Sequence, residues 1–180
     1  MQKNFVVQEG NRGVSVTDFA GLLRALGEAR VEFILVGGAA ATAHGSARLT
    51  QDLDVVYSRQ PENLQRLVRA LAPHSPYLRG APPGLPFKWD LSTLQRGLNF
   101  TLVTSLGAID LFGEIAGGGP YENLVDDTIV LDLFGIKARC LSLKRLIEVK
   151  RASGRPRDLE AIAELESILA RTLERSDAGS

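Results

Sequence analysis

The sequence predicts an α+β protein: a mixed β-sheet with helices packed on one face, plus a C-terminal helical pair. Three observations carry that prediction. Short apolar runs at 32–36 and 52–57 alternate with stretches of helical period. Two hairpin patterns then follow, Asn99–Thr104 with Ala108–Phe112 and Thr128–Leu133 with Ile136–Leu141, the first around Gly107 and the second around Phe134-Gly135. From Ser142 onward the period is helical again, interrupted by Gly154 and Pro156.

Each element has its own signal. Ser15 or Thr17 can cap a helix running to about Arg30, with Phe19, Leu22, Leu23 and Leu26 at helical spacing. Glu32–Val36 reads as a buried strand broken by Gly37-Gly38, and Ala39–His44 is a short helix ended by Gly45. Asp52–Tyr57 is a second strand. Pro61 opens a helix whose stripe is Leu64, Leu67, Val68 and Leu71. Residues 73–90 hold five of the eight prolines together with Gly80 and Gly84, which predicts a long loop without secondary structure. The loop carries the single tryptophan, Trp89, either as a pin to the core or as a stacking platform for a base. Gly117-Gly118-Gly119-Pro120 reads as a flexible connection with no clear helix after it. Ser142 caps a helix with Leu143, Leu146 and Ile147 on one face, and Pro156 starts a last helix with Leu159, Ile162, Leu165 and Leu169 as its buried stripe. The resulting division is a flexible N-terminus over 1–14, an α/β core over 15–141, a helical pair over 142–173 and a frayed tail over 174–180.

Composition narrows the function. The 180 residues suit one domain with a full core, and 44% hydrophobic with 23% charged residues is ordinary globular usage. Lysine plus arginine number 21, as do aspartate plus glutamate, so a chain that coats nucleic acid nonspecifically is not expected and any such contact must be a local patch. The single cysteine, Cys140, can form no internal disulfide, which suits a reducing cytoplasm, and its surroundings read as core packing. No signal-peptide run opens the sequence and no segment has the length of a membrane helix.

The residues that could do chemistry are few. Asp52 and Asp54 lie two apart on a strand, so both side chains leave one face while Leu53 and Val55 go to the other. Neighbouring carboxylates repel and are costly to desolvate unless a cation neutralises them, and hard cations such as Mg²⁺ prefer oxygen ligands of this kind. A bare Asp-x-Asp is also simply two solvated acids at a strand start. Asp110 lies inside a third apolar strand between Ile109 and Leu111, a position that suggests a polar pocket. If that strand lies beside Asp52–Tyr57, three carboxylates converge and form a ligand set for two metal ions. Gly37-Gly38, between strand and helix, allow close backbone approach, and the following helix start offers free N–H groups to a triphosphate.

Other polar residues have two readings each. Lys150 lies on the apolar face of its helix and either pairs with Asp158 or reaches a phosphate. Arg48 and Thr50 bond either to the Asp52 region or to phosphate. His44 fixes a turn rather than a metal. Lys144, Arg145, Arg151, Arg155 and Arg157 form a basic cluster, either a solvated face or a guide for RNA or nucleotide.

The stretch FILVGGAAATAHGSARLTQDLDVVYS resembles the nucleotidyltransferase superfamily, the fold of DNA polymerase beta and of antibiotic nucleotidyltransferases. Gly37, Gly38, Asp52, Asp54 and Asp110 match its signature of a glycine pair, a short helix, Asp-x-Asp and a later strand aspartate. His44-Gly45, Arg48-x-Thr50-x-Asp52 and the ending LSLKRLIEVKRASGRPRDLEAIAEL are similar to a small bacterial subgroup related to AbiE-type toxins of toxin–antitoxin systems. The resemblance covers roughly residues 30–170. Gly38 departs from the pattern, since many members carry serine there, and backbone N–H groups would then hold the phosphates alone.

The resemblance implies a nucleotidyltransferase fold and a metal-dependent enzyme that moves NMP from a nucleoside triphosphate to a hydroxyl and releases pyrophosphate. Asp52, Asp54 and Asp110 are implied as catalytic residues and as ligands of Mg²⁺ or Mn²⁺. Gly37, Gly38, Arg48, Thr50 and Lys150 are the expected nucleotide-binding residues. The acceptor could be RNA or tRNA (the toxin-like version, with an antitoxin-like partner protein), a protein, or a small molecule such as an antibiotic held by the 73–90 loop. A module of the same fold that binds nucleotide or a partner without turnover is the alternative.

Overall fold

The computed structural model describes residues 16–177. Seven strands form one mixed sheet. They are β1 (Phe33–Leu35), β2 (Asp52–Tyr57), β3 (Tyr77–Leu78), β4 (Asn99–Thr104), β5 (Gly107–Phe112), β8 (Thr128–Leu133) and β9 (Ile136–Leu141), in the order β3-β4-β5-β2-β1-β9-β8. Two short strands, β6 (Glu114–Ile115) and β7 (Gly119–Pro120), pair separately. The sheet is mixed because β1 runs antiparallel to β2 but parallel to β9, and β2 runs parallel to β5.

The predicted fold class holds, and the alternation of β4 and β5 shows why. In β5 Gly107, Ile109 and Leu111 are buried while Ala108, Asp110 and Phe112 face the other way. In β4 Phe100, Leu102 and Thr104 are buried and Asn99, Thr101 and Val103 are exposed. Helices α1 (Phe19–Glu28) and α3 (Pro61–Leu71) pack together and supply Leu22, Leu23, Leu26, Leu64, Leu67 and Leu71 to the core that buries Leu53, Val55, Ile109 and Leu111. The short α2 (Gly37–Ala43) packs on α6 (Leu143–Ser153), and α6 on α7 (Pro156–Asp177). Both hairpins follow the predicted limits, apart from β5 starting one residue earlier, at Gly107.

Several local expectations are corrected. Ser15 lies outside the described residues, and the cap of α1 is Asp18, whose carboxylate accepts from the Gly21 N–H. Thr17 serves a different purpose: its hydroxyl donates to the Gln51 carbonyl and accepts from the Ala108 N–H, tying the chain entry to the starts of β2 and β5. Residues 73–90 are not without structure. A 3₁₀ turn at Ala72–His74 leads into β3, an edge strand of two residues paired with β4. Tyr77 packs edge-on to Phe87 and donates to the carbonyls of Pro82 and Leu85. Trp89 donates to the Val68 carbonyl and packs edge-on to Phe100, so it pins the loop to α3 and the core. Helix α4 (Leu91–Arg96), capped by Asp90, had no periodic signal. A four-residue helix, α5 (Tyr121–Leu124), does follow Gly119-Pro120. Helix α7 continues through Asp177, and Leu159 is solvent-exposed, its place in the stripe taken by Ala161.

Among the described residues no helix is long and apolar enough to cross a membrane. Cys140 is buried, and burial pushes its thiol up to about 12, so it is inert core packing as the sequence suggested.

One buried polar residue fastens α3 to the sheet. The Asn63 side chain is fully buried, accepts from the Glu32 N–H at 2.7 Å, and donates to the carbonyls of Glu32 at 3.0 Å and Ser58 at 2.8 Å. Asn63→Ala strands these groups without partners, and urea unfolding is expected to report a loss of roughly 1–3 kcal/mol. A change within a few tenths of a kcal/mol would mean that water replaces the amide at no cost.

Candidate active site

The register of the sheet assembles the site. Parallel pairing of β2 with β5 sets Asp54 opposite Asp110 and Asp52 opposite Ala108. The three side chains leave the open face of the sheet, and one carboxylate oxygen from each lies within 4.8 Å of the others. They line a cavity of about 580 Å³ together with Gly37, Gly38, Arg48, Thr50, Asn99, Phe112, Glu114, Leu146, Val149 and Lys150.

Asp54 is the most perturbed member. Burial, reinforced by the Asp52 charge, raises its carboxyl to about 7, against the pull of the Gly38 N–H that donates to it at 3.0 Å. Burial also raises Asp110, although the Arg79 guanidinium acts in the opposite direction. A carboxylate cluster with this repulsion is the donor set that a hard divalent cation neutralises, so the residues present fit Mg²⁺ or Mn²⁺.

The glycine pair is shaped to Asp54. Gly37 has φ +56°, and a Cβ built there would stand 2.4 Å from an Asp54 carboxylate oxygen. A Cβ on Gly38 would stand 2.6 Å from the Thr50 hydroxyl. Thr50 in turn donates to the Asp52 carbonyl at 3.1 Å. The predicted neighbours Gly37, Gly38, Thr50, Asp52, Asp54 and Asp110 are therefore brought together.

Two predicted binding residues are engaged elsewhere. Arg48 lines the cavity but turns to α7, pairing with Glu164 at 3.4 Å and Glu160 at 3.6 Å, because Glu164 also accepts from Ser46 and the Ala47 N–H and draws this loop onto the helix. Lys150 pairs with Asp158 at 3.3 Å. Burial works against the Asp158 carboxylate, yet Ser153, Lys150 and Arg155 together hold it below the usual range. His44 ends α2 and ties it to the end of β9, its Nε2 donating to the Leu141 carbonyl at 2.8 Å. Three members of the basic cluster pair with acids: Arg145 with Glu148 and Asp127, Arg151 with Glu166, and Arg155 with Asp158.

The residue that sequence reasoning missed is Arg79. It donates to Asp52 at 3.2 Å and to both oxygens of Asp110 at 2.8 and 3.0 Å. No local pattern marks it, since it follows a two-residue edge strand in the proline-rich segment.

No family model matches the sequence, and no curated protein matches it. Solved structures do. The lincosamide antibiotic adenylyltransferase LnuA, bound to lincomycin, superposes with a TM-score of 0.55 at 15% identity, over 86% of this chain and 99% of that one. The antibiotic-resistance factor ANT(2'')-Ia superposes with a TM-score of 0.51 at 16% identity, over 88% and 90%. The chain has the nucleotidyltransferase fold. That places the predicted fold class on an independent footing, while the site rests on its own geometry.

The raised Asp54 carboxyl has a consequence for the metal-free nucleotidyltransferase fold. Its folded value lies above the ordinary 3.8, so stability linked to it is complete below 3.8 and lost as pH rises through about 7. In chelator, the wild type is expected to melt a few degrees lower at about pH 8 than at about pH 5.5. Asp54→Asn should shrink that difference. An unchanged pH dependence in the variant would show that Asp54 is not the group responsible.

Proposed function

We propose that this chain is a metal-dependent nucleotidyltransferase that moves NMP from a nucleoside triphosphate to a hydroxyl of a small molecule. The observation that carries the reading is the convergence of Asp52, Asp54 and Asp110 beside the Gly37-Gly38 turn, on the floor of a cavity of about 580 Å³. In the reaction the acceptor oxygen bonds to the α-phosphorus, the bond from that phosphorus to the β-phosphate oxygen breaks, and pyrophosphate leaves.

Asp52 and Asp54 hold the cation that accompanies the triphosphate, and Asp110 completes the ligand set and takes the proton of the acceptor hydroxyl. A bound Mg²⁺ or Mn²⁺ supplies Lewis-acid stabilisation of the charge that builds on the phosphate oxygens. Gly37 and Gly38, whose missing side chains make room for Asp54 and Thr50, set the turn to which this reading assigns the β- and γ-phosphates. Thr50 supports Asp52 through its carbonyl. Arg48 and Lys150 serve nucleotide binding indirectly, by holding α7 and the α6–α7 corner at the cavity wall.

The small-molecule acceptor is favoured over RNA on two grounds. The cavity is of ligand size and mixes Phe112, Ile115, Leu146 and Val149 with Asn99 and Glu114. Arg145, Arg151 and Arg155, three of the basic residues that could guide RNA, are paired with acids. LnuA, an antibiotic adenylyltransferase whose whole length this fold covers, is consistent with such an acceptor. The toxin-like reading of the AbiE type, with tRNA as acceptor and an antitoxin-like partner, rests on Arg48-x-Thr50-x-Asp52 and Arg155-Pro156-Arg157-Asp158. Residues 15–141 then form the catalytic core and 142–173 the helical pair that closes it.

The test is transfer of label from α-labelled nucleoside triphosphates, with Mg²⁺ or Mn²⁺, to a panel of hydroxylated antibiotics, to total RNA and to the protein itself. Label on a small molecule is expected, with a loss of at least about 10²–10³-fold in Asp52→Asn or Asp110→Asn, as when a group aimed at developing charge is removed. Label on RNA instead would replace the acceptor class and favour the toxin-like reading. Nucleotide binding without transfer to any acceptor would leave a binding module.

A further inference from the structure

We propose that Arg79 is the resident counter-ion of the carboxylate site, occupying the place of a divalent cation between Asp52 and Asp110 and leaving only when a cation takes over. The inference rests on the reading of Asp52, Asp54 and Asp110 as a metal site and adds a residue that controls its loading.

The argument begins with register. Asp54 lies opposite Asp110, and Asp110 opposite Thr101. β3 pairs Tyr77 with Val103 and Leu78 with Leu102, and the Arg79 N–H continues the ladder by donating to the Thr101 carbonyl at 3.0 Å. Arg79, Thr101, Asp110 and Asp54 thus form one row across the open face. From the edge of that row the guanidinium reaches over Thr101 and grips both Asp110 oxygens and one of Asp52. Among the described residues it is the cation that forms ion pairs with the triad, since Lys150 is committed to Asp158.

A guanidinium and a metal ion compete for the same lone pairs. With both Asp110 oxygens accepting from Nη2, a cation can bind Asp110 fully only by displacing it. The displacement is sterically open. The Arg79 side chain is 36% exposed, and the next residue, Gly80, has φ +78° with no neighbour near its missing Cβ. Metal alone therefore meets a site whose charge Arg79 already partly offsets. A metal–nucleotide complex brings phosphate charge that gives the displaced guanidinium a new partner, so metal and nucleotide load together more readily than metal by itself.

The experiment is Mn²⁺ titration of the full chain, followed by the electron paramagnetic resonance of free Mn²⁺, with and without a non-hydrolysable ATP analogue. Wild type, Arg79→Ala, Arg79→Lys and Asp52→Asn/Asp110→Asn are compared, with thermal melts of each. Arg79→Ala is expected to bind Mn²⁺ alone about tenfold tighter than wild type, to gain less from the analogue, and to melt lower without metal but rise more with it. Arg79→Lys keeps the charge without the fork and falls between. Equal or weaker Mn²⁺ affinity in Arg79→Ala overturns the proposal and leaves the metal site standing if the double aspartate variant loses binding. Mn²⁺ binding that is absent throughout, or unchanged in the double variant, removes the metal reading and this proposal together.

Discussion

The cost of burying three mutually repelling carboxylates on one face of a sheet is the constraint to which the rest of this structure answers. The gathering is driven from the opposite face. Leu53, Val55, Ile109 and Leu111 are each at most 1% exposed, and burying four such side chains stabilises by roughly 1.5–3 kcal/mol each. Holding Asp54 ionised against a carboxyl raised to about 7 costs on the order of 4 kcal/mol at most. Apolar burial wins, and a slip of one residue would turn both the leucines and the aspartates to the wrong face. The acids converge because their strand neighbours are apolar.

That logic made much of the fold and half of the site legible in the sequence. A two-residue period fixes which face Asp52 and Asp54 share, and Asp110 between Ile109 and Leu111 carries the same message. The hairpin limits followed from Gly107 and from Phe134-Gly135, where φ is positive at both turn residues. Ser142, Gly154 and Pro156 marked the C-terminal helices because capping chemistry is local. The parallel pairing of β2 with β5 was a condition in the sequence reading rather than a result, since strand order is decided by packing of the whole sheet.

What could not be read is everything that depends on distant charge partners. Arg79 sits where composition predicts an unstructured loop, and its role appears only when β3 is laid on β4 and the row reaches Asp110. Arg48 was a cation near a predicted phosphate site, with nothing in the local sequence to say that Glu160 and Glu164 would claim it, whereas the Lys150–Asp158 pair, eight residues apart, was one of the two readings the sequence offered. The Arg48 pairings are set by the return of α7 to the Ser46–Arg48 loop, more than a hundred residues away in sequence. Asp18 outranked Thr17 as a helix cap because Thr17 was needed to join Gln51 and Ala108.

The glycine pair meets a different demand in the structure from the one its sequence suggests. Read alone, Gly37-Gly38 keep the backbone free for phosphates. In the structure their missing side chains are space already used by Asp54 and Thr50. The serine that many nucleotidyltransferases carry after the first glycine could not be accommodated at position 38 while Thr50 keeps its rotamer, for the Thr50 hydroxyl stands 2.6 Å from where that Cβ would be. Positions 38 and 50 therefore behave as one packing unit. The same hydroxyl is bonded to the carbonyl of Asp52. In this chain the Gly37-Gly38 turn and the strand that presents the carboxylates are thus held in one arrangement, by the packing of Gly38 on Thr50 and by the Gly38 N–H that donates to Asp54, so that a shift of one moves the other.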